Sequence, residues 1–222
     1  MQSKLLSIIP NSMNNDRLTT LQQINSDVKA HHCSLRSGCI QAVPGEGNPN
    51  SEIIFIGEGP GRYEDEQGRP FVGPAGQLLV KLLNEIGLTR ESVYITNVIK
   101  CRPPGNRDPL SEEIVEHADF LTRELDLIKP KLIVLLGRHA LGRFFPDEQI
   151  SKCHGKAKRR GDQVYFTIYH PAAALHNPNL AATLRDDFLK IPAVLKAIDK
   201  LPPVAVATVK EAPPLSPIQK LF

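Results

Sequence analysis

The stretch SEIIFIGEGPGRYEDEQGRPFVGPAGQLL, residues 51–79, decides the fold. Ile53 to Ile56, closed by Gly57, reads as a buried strand, since a short apolar run ending at a turn signal suits a sheet interior. The strand empties into Gly57-Glu58-Gly59-Pro60-Gly61. Glycines there remove side chains and let a ligand come close to the backbone. An acidic pair, Glu64 and Asp65, leads to a second glycine-rich loop with Phe71 at its centre, and a helix begins near Ala75. Bare backbone beside one flat ring reads as a pocket for something planar. The bland alternative is a tight strand-to-helix turn with no ligand. Two nucleotide fingerprints fail on spacing. The dinucleotide turn G-x-G-x-x-G would need glycine where Arg62 stands, and the Gly-Lys-Ser/Thr that closes a phosphate-cradling P-loop is absent from the chain.

Outward from this stretch, apolar runs alternate with amphipathic segments. Val93–Val98, Leu132–Leu136 and Val164–Ile168 read as further strands, and the unbroken LIVLL run at 132–136 suits burial on both faces. Gly76–Ile86 reads as a helix with Leu78, Leu79, Leu82, Leu83 and Ile86 on one face. Ser111–Leu127 reads as another, opened by Ser111-Glu-Glu as a cap with an acidic first turn. A short helix is expected around Ala140–Phe145, and a last one over Leu180–Ile198, interrupted at Pro192. The fold class is therefore α/β: a single domain with a central, mostly parallel four-stranded sheet flanked by helices. In such sheets ligands sit beyond the carboxyl ends of the strands, so the loops after each strand should carry the chemistry.

The bulk numbers are permissive. The chain has 222 residues, 41% of them hydrophobic, and a net charge of +3, which allows a nucleic-acid partner without demanding one. No apolar run reaches the ~20 residues of a membrane span. The N-terminus lacks the apolar core and small-residue cleavage site of a signal peptide, so the chain reads as cytoplasmic. Four cysteines in that compartment suggest thiols or metal ligands rather than disulfides. Residues 1–20 are polar and expected to be mobile, residues 21–200 form the domain, and residues 201–222 form a tail. Prolines at 202, 203, 213, 214 and 217 keep that tail extended.

After the second strand comes TNVIKCRPPGNRDP, residues 96–109, with Asn97 at the strand end. An amide there both donates and accepts, so it can read the edge of a base. It could equally cap the strand. After the fourth strand, His170 opens HPAAALHNP, residues 170–178; a histidine so placed can stabilise a developing oxyanion or serve as a simple cap. Lys152, Lys156, Lys158, Arg159 and Arg160 form a basic run just upstream. Such a run is usually a solvated face, yet beside a site it also suits phosphate contacts.

In their order and spacing, GEGPG with Glu64-Asp65, PFVGPAG, TNVIKCRPPGNRDP and HPAAALHNP resemble the uracil-DNA glycosylase superfamily, specifically its family 4 branch, over roughly residues 30–195. The resemblance implies hydrolysis of the bond between uracil and deoxyribose after the base is flipped out of the duplex. It implies that Phe71 stacks on uracil, that Asn97 reads its edge and rejects cytosine, that Glu58 and Gly59 contact it from the turn, and that His170 faces O2, where charge builds. Other branches carry an aspartate where Gly59 stands, so Glu64 becomes the candidate for positioning water or steadying a cationic sugar, beside Glu58. Leu175 and His176 match the loop that wedges into DNA, and Arg159 and Arg160 would then touch phosphates. A catalytically weakened uracil-DNA-binding module of the same fold, and a small-molecule nucleotide hydrolase, are the competing readings.

The family 4 branch implies a [4Fe-4S] cluster on four cysteines. Here the matching positions read Ala30, Cys33, Cys101 and His117. Three outcomes follow: the cluster is lost; it persists with His117 and one of His31, His32 or Cys39 as substitute ligands; or a Cys/His site holds zinc. The tail ends IQKLF, and Gln219, Leu221 and Phe222 resemble short sliding-clamp-binding peptides. Uracil-containing DNA is thus the expected partner, with the clamp a second one, no membrane, a monomeric chain and a place at the nucleoid.

Overall fold

The computed structural model describes residues 11–175 and 177–200. The helices are α1 (Asn11–Ala30), α2 (Arg62–Gln67), α3 (Pro74–Glu85), α4 (Ser111–Ile128), α5 (Gly137–Phe144), α6 (Ile150–Cys153), α7 (Pro171–Ala174), α8 (Pro178–Phe188) and α9 (Ile191–Ala197). The strands are β1 (Glu46–Gly47), β2 (Ile53–Gly57), β3 (Tyr94–Asn97), β4 (Leu132–Leu136), β5 (Lys156–Arg160) and β6 (Gln163–Ile168). Among the described residues they form one sheet in the order β1-β3-β2-β4-β6-β5.

The four strands legible in the sequence are the inner, parallel ones. Two antiparallel edge strands extend the expected four to six. Neither announces itself: β1 is two residues long, and β5 is the basic run KAKRR, which lacks any apolar alternation.

Successive side chains along a strand point to opposite faces. Ile54, Ile56, Tyr94, Ile133 and Leu135 face a core completed by α1 and α4 residues, including Leu21, Ile24, Val28, Phe120 and Leu121. Ile53, Phe55, Ile95, Leu132, Val134 and Leu136 face the other core, completed by Leu79, Leu82 and Leu83 of α3 and Leu184 and Phe188 of α8. Phe55 and Phe188 stack across it, centroids 5.7 Å apart.

The N-terminal segment carries regular structure where it is described. Residues 11–20, read as mobile, belong to the 20-residue helix α1. Its buried side chains are spaced at Leu21, Ile24 and Val28, all in the second half, so the polar first half hides the helix from a periodicity reading. Arg123 of α4 reaches Asp27 of α1 at 2.5 Å. At the other end, α8 and α9 are separate helices, and Pro192 stands in the first turn of α9, where its missing N–H costs nothing. The α4 cap is also built differently. Ser111 is the first helical residue, and Glu113 reaches back to accept the Leu110 N–H at 2.8 Å.

Candidate active site and metal centre

A pocket of about 330 Å³ opens beyond the carboxyl ends of the parallel strands. Glu58, Gly59, Glu64, Phe71, Asn97 and His170 all line it, so residues far apart in the chain meet as the sequence led us to expect.

The meeting point is built on glycine. Gly57 and Asn97 are register partners on β2 and β3. A Cβ at Gly57 would lie 2.5 Å from both the Asn97 Oδ1 and the Phe71 ring. Asn97 is 2% exposed, and its Oδ1 has no hydrogen-bond partner among the described residues. Its backbone is held from behind. Lys100 Nζ donates to the Asn97 carbonyl at 3.1 Å, to Thr96 Oγ1 at 2.6 Å and to Glu124 Oε2 at 2.7 Å. Lys100 and Glu124 are both fully buried.

Phe71 holds φ +53°, a left-handed conformation that a bulky residue rarely adopts. Arg90 fixes it by donating to the Phe71 carbonyl at 2.8 Å and to the Pro70 carbonyl. The Phe71 ring faces His170, centroids 5.6 Å apart and tilted by 32°.

His170 follows β6 and caps α7, its Nδ1 accepting the Ala172 N–H at 3.1 Å. An accepting Nδ1 bears no proton, so the neutral ring carries its hydrogen on Nε2. Desolvation by the packed surroundings lowers the His170 pKa to about 4, so the ring is neutral near pH 7. It offers one N–H donor and no full charge.

The two pocket carboxylates differ. Glu64 Oε1 accepts the Val72 and Gly73 N–H groups, each at 2.8 Å, and Oε2 accepts Gly61 N–H at 3.1 Å. It ties the two glycine-rich loops together. Glu58 instead faces His139 Nε2 at 3.7 Å, and burial raises its pKa while His139 opposes the rise. His139 also meets Asp108 Oδ1 at 3.2 Å, and Arg138 meets the same aspartate at 2.5 Å. Asn106, Arg107 and Asp108, all within the TNVIKCRPPGNRDP segment, line the pocket too. Sequence reasoning did not single out these three or His139. Their only signal was membership of segments that follow a strand.

A model of the uracil-DNA glycosylase superfamily matches residues 44–195, which include every lining residue of this pocket. The chain belongs to the uracil-DNA glycosylase superfamily. A type-4 uracil-DNA glycosylase of Sulfurisphaera tokodaii is 46% identical over 185 residues, covering 78% of this chain and 84% of that protein. One from Archaeoglobus fulgidus is 49% identical over 168 residues, covering 72% and 84%. A third, from Thermotoga maritima, is 44% identical over 152 residues, covering 67% and 79%.

In this superfamily member the expected DNA contacts divide. Leu175 is 41% exposed and caps the carboxyl end of α7, the short helix that follows His170. His176 lies outside the described residues, as do Gln219, Leu221 and Phe222. Arg159 and Arg160 are not brought to the pocket. They pair with Val164 and Gln163, at the amino end of β6, about 13 Å of strand from Ile168. Arg159 donates to the Ile198 carbonyl and Arg160 to the Phe144 carbonyl at 2.8 Å. β5 is antiparallel to β6, which carries these arginines away from the pocket end of the sheet.

The metal expectation is met in coarse form. Cys33, in the segment that follows α1, meets His117 on α4, and His31 joins them; their ligand atoms all lie within 4.8 Å of one another. The Cys101 thiol is buried, and burial first, then its neighbours Cys33 and Cys39, push its pKa up. The described residues thus hold a candidate His/Cys metal-binding group. Among the described residues no helix is long and apolar enough to cross a membrane.

Proposed function

We propose that this chain is a uracil-DNA glycosylase, hydrolysing the N-glycosidic bond of uracil in DNA and leaving an abasic site. The observation that carries the reading is the buried, unpartnered Oδ1 of Asn97 beside the Phe71 ring. A buried polar atom without a partner costs about 1–3 kcal/mol, and a flipped base that supplies the missing hydrogen bond recovers it. Uracil offers an N–H to that oxygen and a carbonyl to the amide N–H₂. Cytosine presents an unprotonated ring nitrogen and an amino group there, so acceptor meets acceptor and donor meets donor.

The bond breaks with charge moving onto uracil. His170 supports that step as a neutral donor through Nε2–H at O2, and a donor aimed at a developing oxyanion is worth about 3–4 kcal/mol. Water must then add to the sugar. Glu58 is the carboxylate we assign to it, because burial makes it more basic and it is not tied to backbone amides. Glu64 is a positioning residue. It holds the Gly61 and Phe71 loops in register, and its charge lies near enough to His170 to oppose the ring's pKa shift. Leu175 is the apolar wedge that keeps the duplex open. The tail residues Gln219, Leu221 and Phe222 complete the proposal as a clamp contact of a monomeric enzyme.

Cys33 of the Cys/His group neighbours Cys101, just before Pro103, Asn106, Arg107 and Asp108 of one pocket wall, and the hydrolysis itself is redox-neutral. A metal there would supply rigidity to that wall.

The test is incubation with a uracil-containing oligonucleotide followed by alkali, in single turnover. Cleavage at uracil, lost in Asn97→Ala and His170→Ala, supports the reading. Intact DNA held in a tight complex would leave only the binding module, and turnover of free deoxyuridine without DNA cleavage would favour a nucleotide hydrolase. Glu58→Gln is expected to slow cleavage at unchanged stability. Glu64→Gln turns an amide N–H₂ toward backbone N–H groups and is expected to lower both.

A further inference from the structure

A four-iron cluster of the type the family 4 branch implies is bound by four thiolates. The corresponding positions here supply two, and Ala30 supplies no donor at all. The residues present do not fit that group.

What is present has its own chemistry. His117 is fully buried, and its Nδ1 lies 2.7 Å from the Glu113 carbonyl oxygen. A carbonyl only accepts, so Nδ1 carries the hydrogen and Nε2 is a bare lone pair. That Nε2 is buried and has no hydrogen-bond partner among the described residues; the same holds for Nε2 of His31. An imidazole oriented by an N–H to a backbone carbonyl, with its other nitrogen vacant, is the arrangement that metal-ligating histidines take. The two rings stand edge to face, centroids 5.2 Å apart, with the Cys33 thiol completing the group.

Spacing separates one ion from a cluster. Zinc–nitrogen and zinc–sulfur bonds of about 2.0–2.3 Å in a tetrahedron set ligand atoms roughly 3.5 Å apart, and the ligand atoms of His31, Cys33 and His117 all lie within 4.8 Å of one another. An iron cube binds each ligand at a different corner and holds them further apart. The fourth position falls to Cys101, a buried thiol that neighbours Cys33 and stands outside the compact group of three. Cys39 also neighbours the Cys101 thiol, but its sulfur lies against Arg36, 3.7 Å from Nη1 and 3.9 Å from the carbonyl oxygen, and it is not in the compact group.

We infer that His31, Cys33, Cys101 and His117 hold a single zinc ion in place of the four-thiolate iron cluster. The site is independent of the uracil pocket chemistry, and its test needs no cleavage assay. The full chain, purified without chelators from medium containing both iron and zinc, is assayed by elemental mass spectrometry and visible absorption. About one zinc per chain and no iron–sulfur band are expected. Cys33→Ser and His117→Ala should each lower zinc content about tenfold or more. Cys39→Ser should leave it unchanged. His117→Cys keeps a ligand and should retain zinc even where the alanine variant fails to fold. Cobalt substitution should give the visible bands of a tetrahedral thiolate site, weakened in Cys101→Ser. Iron with sulfide, a metal-free folded chain, or zinc lost with Cys39 but not with Cys101 would each overturn the assignment.

Discussion

The carbonyl oxygen of Phe71 rests against Gly76 so closely that a Cβ on residue 76 would lie 1.9 Å from it. Gly76 stands on α3, a rigid element, whereas Phe71 sits in a loop at φ +53°. The helix therefore dictates where the aromatic ring goes. Gly76→Ala must push the loop off α3. We expect a loss of about 2 kcal/mol in urea unfolding together with weaker uracil-DNA binding, since the ring loses its seat. A fully stable, fully active variant would show that the loop has another resting place.

Asn97 gives the opposite pairing of effects. Its Oδ1 is buried and unpartnered, so the residue costs stability in the free protein. Asn97→Ala is expected to leave the unfolding midpoint unchanged or slightly raised, while single-turnover cleavage falls by about tenfold or more.

The pH dependence of stability follows from His170. Its folded pKa, about 4, lies below the ordinary histidine value of about 6.5, so the unfolded chain takes up the proton first as pH falls. The stabilisation is complete above about pH 6.5 and is lost as pH drops toward 4. Urea titrations at pH 7.5 and 5 should show the loss, and His170→Asn should reduce it without abolishing it.

Lys100 and Glu124 are fully buried and lie behind the Asn97 strand end. Removing one partner leaves a buried charge alone, so Lys100→Met should cost about 3–5 kcal/mol. Lys100→Met combined with Glu124→Leu should recover part of that stability but not the cleavage rate, because the Asn97 carbonyl still lacks its donor. A double-mutant cycle read in both stability and rate separates the two.

Arg159 and Arg160 cap backbone carbonyls at the sheet end away from the pocket. Exchanging both for alanine should leave the salt dependence of uracil-DNA binding unchanged, since no phosphate contact is lost. A slope reduced by about one or more would return them to the DNA face.

These cases show what the sequence could and could not convey. The parallel core was legible because Ile53–Ile56 and Leu132–Leu136 are continuous apolar runs, and the pocket because glycine-rich loops and Phe71, Asn97 and His170 follow strands. The partner of Glu58 was hidden: His139 lies on α5, and no local pattern tells that its ring turns toward β2. Cys39 was among the substitute ligands the sequence suggested, and its nearness to Cys101 arises from the loop that follows α1. The role of Glu64 needed coordinates, since a carboxylate reaching amides three, eight and nine residues away leaves no compositional trace.

β5 carries one more consequence. Among the described residues it is the last strand of the sheet, and its outer side presents backbone groups that could template another chain. Four of its five residues are Lys156, Lys158, Arg159 and Arg160. Like charges stacked edge to edge repel, so two copies of this molecule cannot zip their sheets together there. The basic run earns its place as a guard against self-assembly, and a chain with threonines and valines in those positions would be lost to fibres rather than to weak DNA binding.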